Sequence, residues 1–395
     1  MNKKIAAAVS AAALTLGATS ANAGIIIPAG EWTLDVNGNV NVYATLSDFD
    51  TADSTTMAGA LAGKKDSLGE DQTQSINTGL LPAWLGFTGT TRQNDLDVSF
   101  TISMQPNVSD STASYHGDAK QPLWRQAFLT FGDASWGQVK MGKDLGIFAG
   151  NAILNDMTLL GVGAGAANSG AATTLGGIGS GYIYPAWKGQ ITYTTPNFNG
   201  FTAKVGITNP NQVVQAGANY QDRFGVEGQL EYAFAAGKVW SSFATYEVTG
   251  SASNTYDSNA IDVGVAANFG NAGIVAYMYS GDGAGTTIYG SAAATNGATR
   301  DSDGGYIQAT YVIPTGTKLG VAYGLSTLDQ ANSTDTTDSA GTELVDENKR
   351  WTVGAYHPLT KHLNLVAEYN NVQSEGHSGT EIESDHLSLG AILFF

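Results

Sequence analysis

Long runs in which apolar and polar side chains alternate strictly constrain this chain more than any other feature. Leu34, Val36, Gly38, Val40, Val42, Ala44 and Leu46 alternate with Thr33, Asp35, Asn37, Asn39, Asn41, Tyr43 and Thr45. The same rhythm sets Phe224, Val226, Gly228, Leu230, Tyr232 and Phe234 against Gly225, Glu227, Gln229, Glu231 and Ala233. It closes the chain, where Leu387, Leu389, Ala391, Leu393 and Phe395 share one face. A period of two puts neighbouring side chains on opposite faces of an extended strand, so each strand has one apolar and one wet face. Period alone does not say what covers the apolar face. Only 13% of the residues are charged, and the polar faces are largely Asn, Ser, Thr, Gly and Gln. A soluble sandwich uses shorter strands with a more charged solvent face. A transmembrane barrel has an apolar lipid face and a polar interior.

Strands are expected near 32–46, 79–91, 95–106, 121–131, 137–143, 188–196, 200–208, 222–234, 238–249, 258–269, 272–281, 303–313, 317–327, 348–358, 362–373 and 384–395. Sixteen is an even number, so both termini fall on one side of an all-β, antiparallel transmembrane barrel. Short connections such as 92–94, 197–199 and 314–316 alternate with long ones at 48–78, 107–120, 144–187, 282–302 and 328–347. Short turns on one side and long loops on the other are the pattern of outer-membrane barrels. Closure also removes the sheet edges that would invite aggregation. Phe234, Phe269, Tyr311 and Phe395 share an end and a face, as a girdle at one lipid–water interface requires.

Residues 1–23 hold Lys3 and Lys4, an apolar run from Ile5 to Ala18, and Ala21-Asn22-Ala23. That is the layout of a cleaved secretory signal, too short to span a bilayer as a helix. Residues 24–395 are then the mature barrel domain. Its 16 basic and 35 acidic residues give a formal charge of −19. So acidic a chain offers little to a phosphate backbone, and no nucleic-acid partner is expected. There is no cysteine, hence neither a disulfide framework nor a thiolate metal site.

One connection stands apart. Arg125–Phe131 and Gly137–Lys143 read as a hairpin, and the next alternating run begins only at Gln190. The intervening 144–187 are rich in Gly, Ala, Ser and Thr. A compact domain seldom carries so long an insertion without a use for it. We expect it to fold into the barrel lumen and narrow a water-filled pore.

Arg125-Gln-Ala-Phe128, Gly137-Gln-Val-Lys-Met-Gly142, a long loop and Ile191-Thr-Tyr-Thr-Thr-Pro-Asn-Phe-Asn-Gly-Phe201 together resemble the general diffusion porins of Gram-negative outer membranes. The resemblance implies a third loop folded inward as an eyelet and three barrels assembled as a homotrimer. It implies contact with outer-membrane lipid and lipopolysaccharide after Sec-type export. The terminal Phe395 is similar to the residue by which the barrel assembly machinery recognises such chains. The implied activity is passive diffusion of small hydrophilic solutes and ions, with no cofactor or energy source.

The chain departs from that family where the eyelet charges are expected. Asn41, Trp84 and Asp97 stand where the family commonly has basic residues. The bases left near the loop are Arg125, Lys140 and Lys143, facing Asp144, Asn151, Asn155 and Asp156 on the loop side. These nine positions, Asn41 apart, with Trp84 and Asp97 included, form the expected constriction. Acids at the outer mouth, including Asp48, Asp50, Glu70, Asp335, Asp338, Glu343 and Glu347, are expected to give a mild cation preference that salt screens. Lumen acids are expected at Asp35, Asp97, Glu227, Glu231, Glu247, Asp262 and Glu368, and lumen bases at Arg125, Lys140, Lys204, Arg223, Lys318 and Arg350.

The acidic loops have oxygen ligands but no EF-hand or nonapeptide repeat, so solvated charge is preferred to an ion site. The five histidines have no zinc-type spacing. His386 and Ser388 share a face but are too far apart along the rise for a nucleophile and its base, and no enzyme is expected. A substrate-specific channel, for example for sugars, is the main alternative, with Trp84, Tyr184 and Trp187 as its aromatic path. A non-conducting adhesin is a third.

Overall fold

The structure is a computed structural model, described for residues 24–52, 54–108, 123–166, 172–209, 223–249, 255–294, 297–338 and 340–395. The expected leader (1–23), most of the 107–120 connection and part of the Gly/Ala tract (167–171) lie outside the described residues. The first strands are β1 (Ile25–Ala29), β2 (Trp32–Phe49), β3 (Gln72–Asn77), β4 (Trp84–Gln93), β5 (Leu96–Gln105) and β6 (Leu123–Asp133). Next come β7 (Gly137–Leu145), β8 (Trp187–Thr194), β9 (Phe201–Thr208), β10 (Gly225–Phe234), β11 (Gly237–Thr249) and β12 (Thr255–Phe269). The last are β13 (Ala272–Asp282), β14 (Asp301–Val312), β15 (Lys318–Leu328), β16 (Val345–Pro358), β17 (Leu363–Gly376) and β18 (Glu381–Phe394).

From β4 to β18 each strand pairs antiparallel with the next, and the ring closes where β2 pairs with β18 on one side and β4 on the other. β3 pairs with the upper part of β2 and β4 with its lower part, so these two form a single interrupted stave. The result is a closed barrel of sixteen staves. β1 pairs with Trp32–Val36 of β2 and continues the line of β18 past Phe395. Phe395 completes closure through paired bonds, its N–H to the Gly38 carbonyl at 3.0 Å and the Gly38 N–H to its own carbonyl at 2.8 Å.

Alternation dictates the two surfaces. Val40, Val42 and Leu46 are exposed, while Asn39, Asn41, Tyr43, Thr45 and Ser47 between them are buried. On β18, Leu387, Leu389 and Leu393 face out, and His386 and Ser388 face in. Phe234, Phe269 and Tyr311 are exposed at the short-turn end, as a girdle requires, and Phe395 is half-buried there. The short turns follow local chemistry. Asn94 and Asp95, both at positive φ (47° and 62°), make the two-residue turn between β4 and β5, a geometry that matches strand twist.

One expected strand is corrected. The span 79–91 is not continuous: the strand begins at Trp84, and 72–77 forms a separate strand within the expected loop. Residues 78–83 break the stave, and Leu80, Leu81 and Ala83 are buried.

Candidate constriction site

Residues 146–166 and 172–186, between β7 and β8, are tied to the inward polar face of the wall. The Glu227 carboxylate on β10 accepts the N–H groups of Ile147 (2.5 Å) and Phe148 (3.1 Å). Asp262 on β12 accepts that of Ala149 at 3.2 Å, and Glu368 on β17 accepts those of Val162 (2.9 Å) and Gly163 (3.0 Å). Gln308 on β14 and Ser326 on β15 accept from Met157 and Gly181. A segment without sheet partners must satisfy its buried N–H groups elsewhere, and here wall side chains do it. Asp156 acts within the segment, accepting from Thr158 N, Gly177 N and the Tyr182 hydroxyl, with Arg350 at 3.9 Å.

Inward tyrosines supply apolar area to the same contact. The short helix α1 (Gly150–Asn155) and the turn after it pack with Phe148 and Tyr182 against Tyr277, Tyr279 and Tyr306. Phe148 meets the ring of Tyr289 at 5.5 Å, and Tyr182 meets that of Tyr306 at 5.8 Å. Each ring also has a polar end to satisfy. Tyr306 donates to Ala152 O (2.8 Å), Tyr356 to Glu368 (2.6 Å), and Tyr43, on β2, to Leu160 O (2.7 Å).

The break in the second stave meets this segment from the other side. Asn39 donates to Pro82 O and Asn41 to Leu81 O, while Asn41 accepts from Gly79 N. These side chains replace the ladder bonds that 78–83 forgo. Leu80 N donates to Gly161 O at 3.0 Å, joining the insert to the loop. Gly38 makes the close approach possible, since a Cβ there would lie 2.2 Å from Trp84 O.

The nine expected constriction residues do not converge. Lys140 and Asp144 pair with each other on one strand at 2.6 Å. Asn151 donates to Glu231 and accepts from Lys238, which itself pairs with Glu231 at 3.2 Å. Asn155 donates to Asn151 O and, with Asp156, holds the loop rather than facing open space. Lys143 is corrected: it has the outward parity of Met141, is exposed, and donates to Trp124 O. Asp97 is corrected too, lying at the short-turn end in a 2.8 Å pair with Arg92. Arg223, expected inside, is largely exposed and pairs with Glu247.

Arg125 and Trp84 do meet. A bulge in β6, opposite Ser103 and Met104 of β5, leaves Arg125 outside the pairing, so Trp124 turns out and Arg125 turns in. Both line a cavity of about 220 Å³ between the insert, the loop and the wall. Leu80, Leu81, Leu159, Leu175, Tyr184 and Trp187 form much of its apolar lining. Among the described residues the Arg125 guanidinium has no ion pair, and it lies 6.0 Å from the centre of the Trp187 ring.

The model of the Gram-negative porin family matches residues 6–377. The chain belongs to that family.

As a porin it is an outer-membrane channel protein. No curated protein matches the chain. Among solved structures, the anion-selective porin from Comamonas acidovorans is similar at 16% identity and a TM-score of 0.66, covering 92% of this chain and 100% of its own. The outer-membrane channel DcaP of Acinetobacter baumannii is also 16% identical, with a TM-score of 0.69 over 94% of this chain and 100% of that one. Salmonella typhi OmpF, solved with daunomycin, has 16% identity, a TM-score of 0.61 and the same coverage. At such identity the likeness shows the fold alone.

Sequence reading missed several residues of this porin's interior. Lys188 is buried against Glu227 at 2.7 Å, and Lys238 reaches Asn151. Both sit on the inward parity of assigned strands, so the alternation could have found them. Asn39 and the inward tyrosines were legible as lumen-facing, but nothing in their spacing said what they would bind.

Proposed function

We propose that this porin mediates passive diffusion of small hydrophilic solutes and ions through a passage narrowed by residues 146–186 and by the 78–83 insert. The observation that carries this is the set of wall carboxylates, Glu227, Asp262 and Glu368, holding the loop backbone against the inner face. In this reading the barrel works as a homotrimer in outer-membrane lipid and lipopolysaccharide, delivered by the assembly machinery through Phe395. The leader 1–23 directs export.

The same contacts revise the charge argument. Acids expected on the wall as free lumen charge are occupied, Glu227 by Lys188 and Glu231 by Lys238, and so is Asp144 from the loop side, by Lys140. Asp262 and Glu368 are fully enclosed by donors. Arg125 is then the charge that a solute meets beside the cavity. The narrow part of the passage therefore favours anions, reversing the mild cation preference expected from the outer loops, whose effect at physiological salt decays over about 8 Å. Reversal potentials across a KCl gradient in planar bilayers test this. Chloride preference that weakens in Arg125→Ala supports it, and potassium preference untouched by that change would refute it.

A further inference from the structure

The cavity beside Arg125 is built unlike a passage for water and salt. Its walls are mainly apolar, contributed by Leu80, Leu81, Trp84, Leu159, Leu175 and Trp187, and Arg125 is the one charged residue lining it among those described. An apolar surface gives a hydrated ion no substitute for its water. It does give an apolar body a place to shed water, and the guanidinium next to it presents a planar fork of donors that suits a carboxylate. The neighbouring acid Asp144 is held by Lys140 and Gln126, so it does not claim Arg125.

Size narrows the class. An apolar cavity of about 150 Å³ takes up benzene. The cavity here, about 220 Å³, has room for one ring and a carboxylate. Trp84 and Trp187 flank the space from the insert side and the loop side, and Arg125 already lies over the Trp187 ring. From this we infer that the constriction is a binding site for small amphiphilic monocarboxylates of the benzoate class, the ring lodged among the leucines and tryptophans and the carboxylate on Arg125. The inference rests on the channel reading above and adds a solute class to it.

Benzoate titrated against KCl current through single channels in planar bilayers is the test. Saturable block by benzoate is expected, with little block by acetate, which lacks the apolar body, or by benzamide, which lacks the charge. In Arg125→Ala the half-blocking concentration should rise about tenfold or more, the loss expected for a charge-assisted hydrogen bond. Arg125→Lys should fall between. Equal block by benzamide and benzoate, or unblocked benzoate current with normal KCl steps, would overturn the inference and leave the channel reading standing. Absence of KCl steps from heat-modifiable, correctly folded protein would overturn both. The comparison of the three solutes needs wild-type protein only, so it does not depend on any variant folding.

Discussion

Glu368 and Gly163 are 205 positions apart, yet the Glu368 carboxylate accepts the Gly163 N–H at 3.0 Å. The same carboxylate accepts from Val162 N and from the Tyr356 hydroxyl. It therefore joins the loop to the wall at the far end from Glu227. In Glu368→Leu these donors lose their acceptor, at about 1–3 kcal/mol for each buried group left unsatisfied. We expect a larger single-channel conductance and a lower temperature of heat-modifiable unfolding. Glu368→Gln keeps one acceptor oxygen and should fall between. Wild-type conductance in a folded Glu368→Leu barrel would show that this tether does not set the passage.

Contact between loop and insert has its own weak point. Gly176 has φ +58°, and a Cβ there would lie 2.2 Å from Cδ2 of Leu80. Gly176→Val adds both a disfavoured backbone and a clash. The backbone alone costs on the order of 1–3 kcal/mol. Single-channel recording should show altered or unsteady conductance, with barrel yield on gels nearly unchanged. A barrel that fails to form would place Gly176 in the folding of the wall instead.

Leu389 tests the lipid-facing register. It is exposed on β18, directly beside Ala44 of β2 at the closing seam. Leu389→Arg should destabilise the barrel by about 2–4 kcal/mol if it lies near the bilayer midplane. Urea titration of folding into lipid vesicles measures this, with Leu389→Val as the conservative control. No difference between the two would put this face away from lipid.

One loop junction outside the barrel wall has a defined response to acid. Arg300 holds Asp335 through two bonds, at 2.7 and 2.8 Å, joining the loop before β14 to that before β16. The Arg300 bond holds the Asp335 carboxyl below its usual range near 3.8, against an opposing effect of burial. A group whose folded pKa is depressed stabilises fully above its unfolded value and loses that contribution as pH falls through the folded one. The loop junction should thus resist mild acid and open only below the usual carboxylate range. Hydrogen exchange of 329–338 against pH would show it, and Asp335→Asn should exchange fast at every pH. Identical profiles for the two proteins would deny the junction any role.

The limits of the sequence are visible at particular residues. Alternation put Glu227, Asp262 and Glu368 on the inner face, and they are there. It could not show that they bond to loop N–H groups instead of facing water, because a strand pattern gives facing and not partners. Arg125 turned inward only through the bulge opposite Ser103 and Met104, which shifts parity by one residue. Lys143 went wrong on parity alone, sharing the face of Met141. The break at 78–83 was hidden because its Leu80, Leu81 and Ala83 look like strand residues, although they are buried in the interior.

The sequence by itself determined the strand pattern, the inner and outer faces and the alternation of short and long connections. Each follows from local periodicity and turn chemistry, which act between neighbours in the chain. Tertiary structure alone decided which buried donors meet which carboxylates, how 146–186 and 78–83 abut, and which cation stays unpaired beside the cavity. Those outcomes depend on groups tens to hundreds of positions apart competing for the same hydrogen bonds, as Gly163 does for Glu368. Only closure of the barrel brings them within reach.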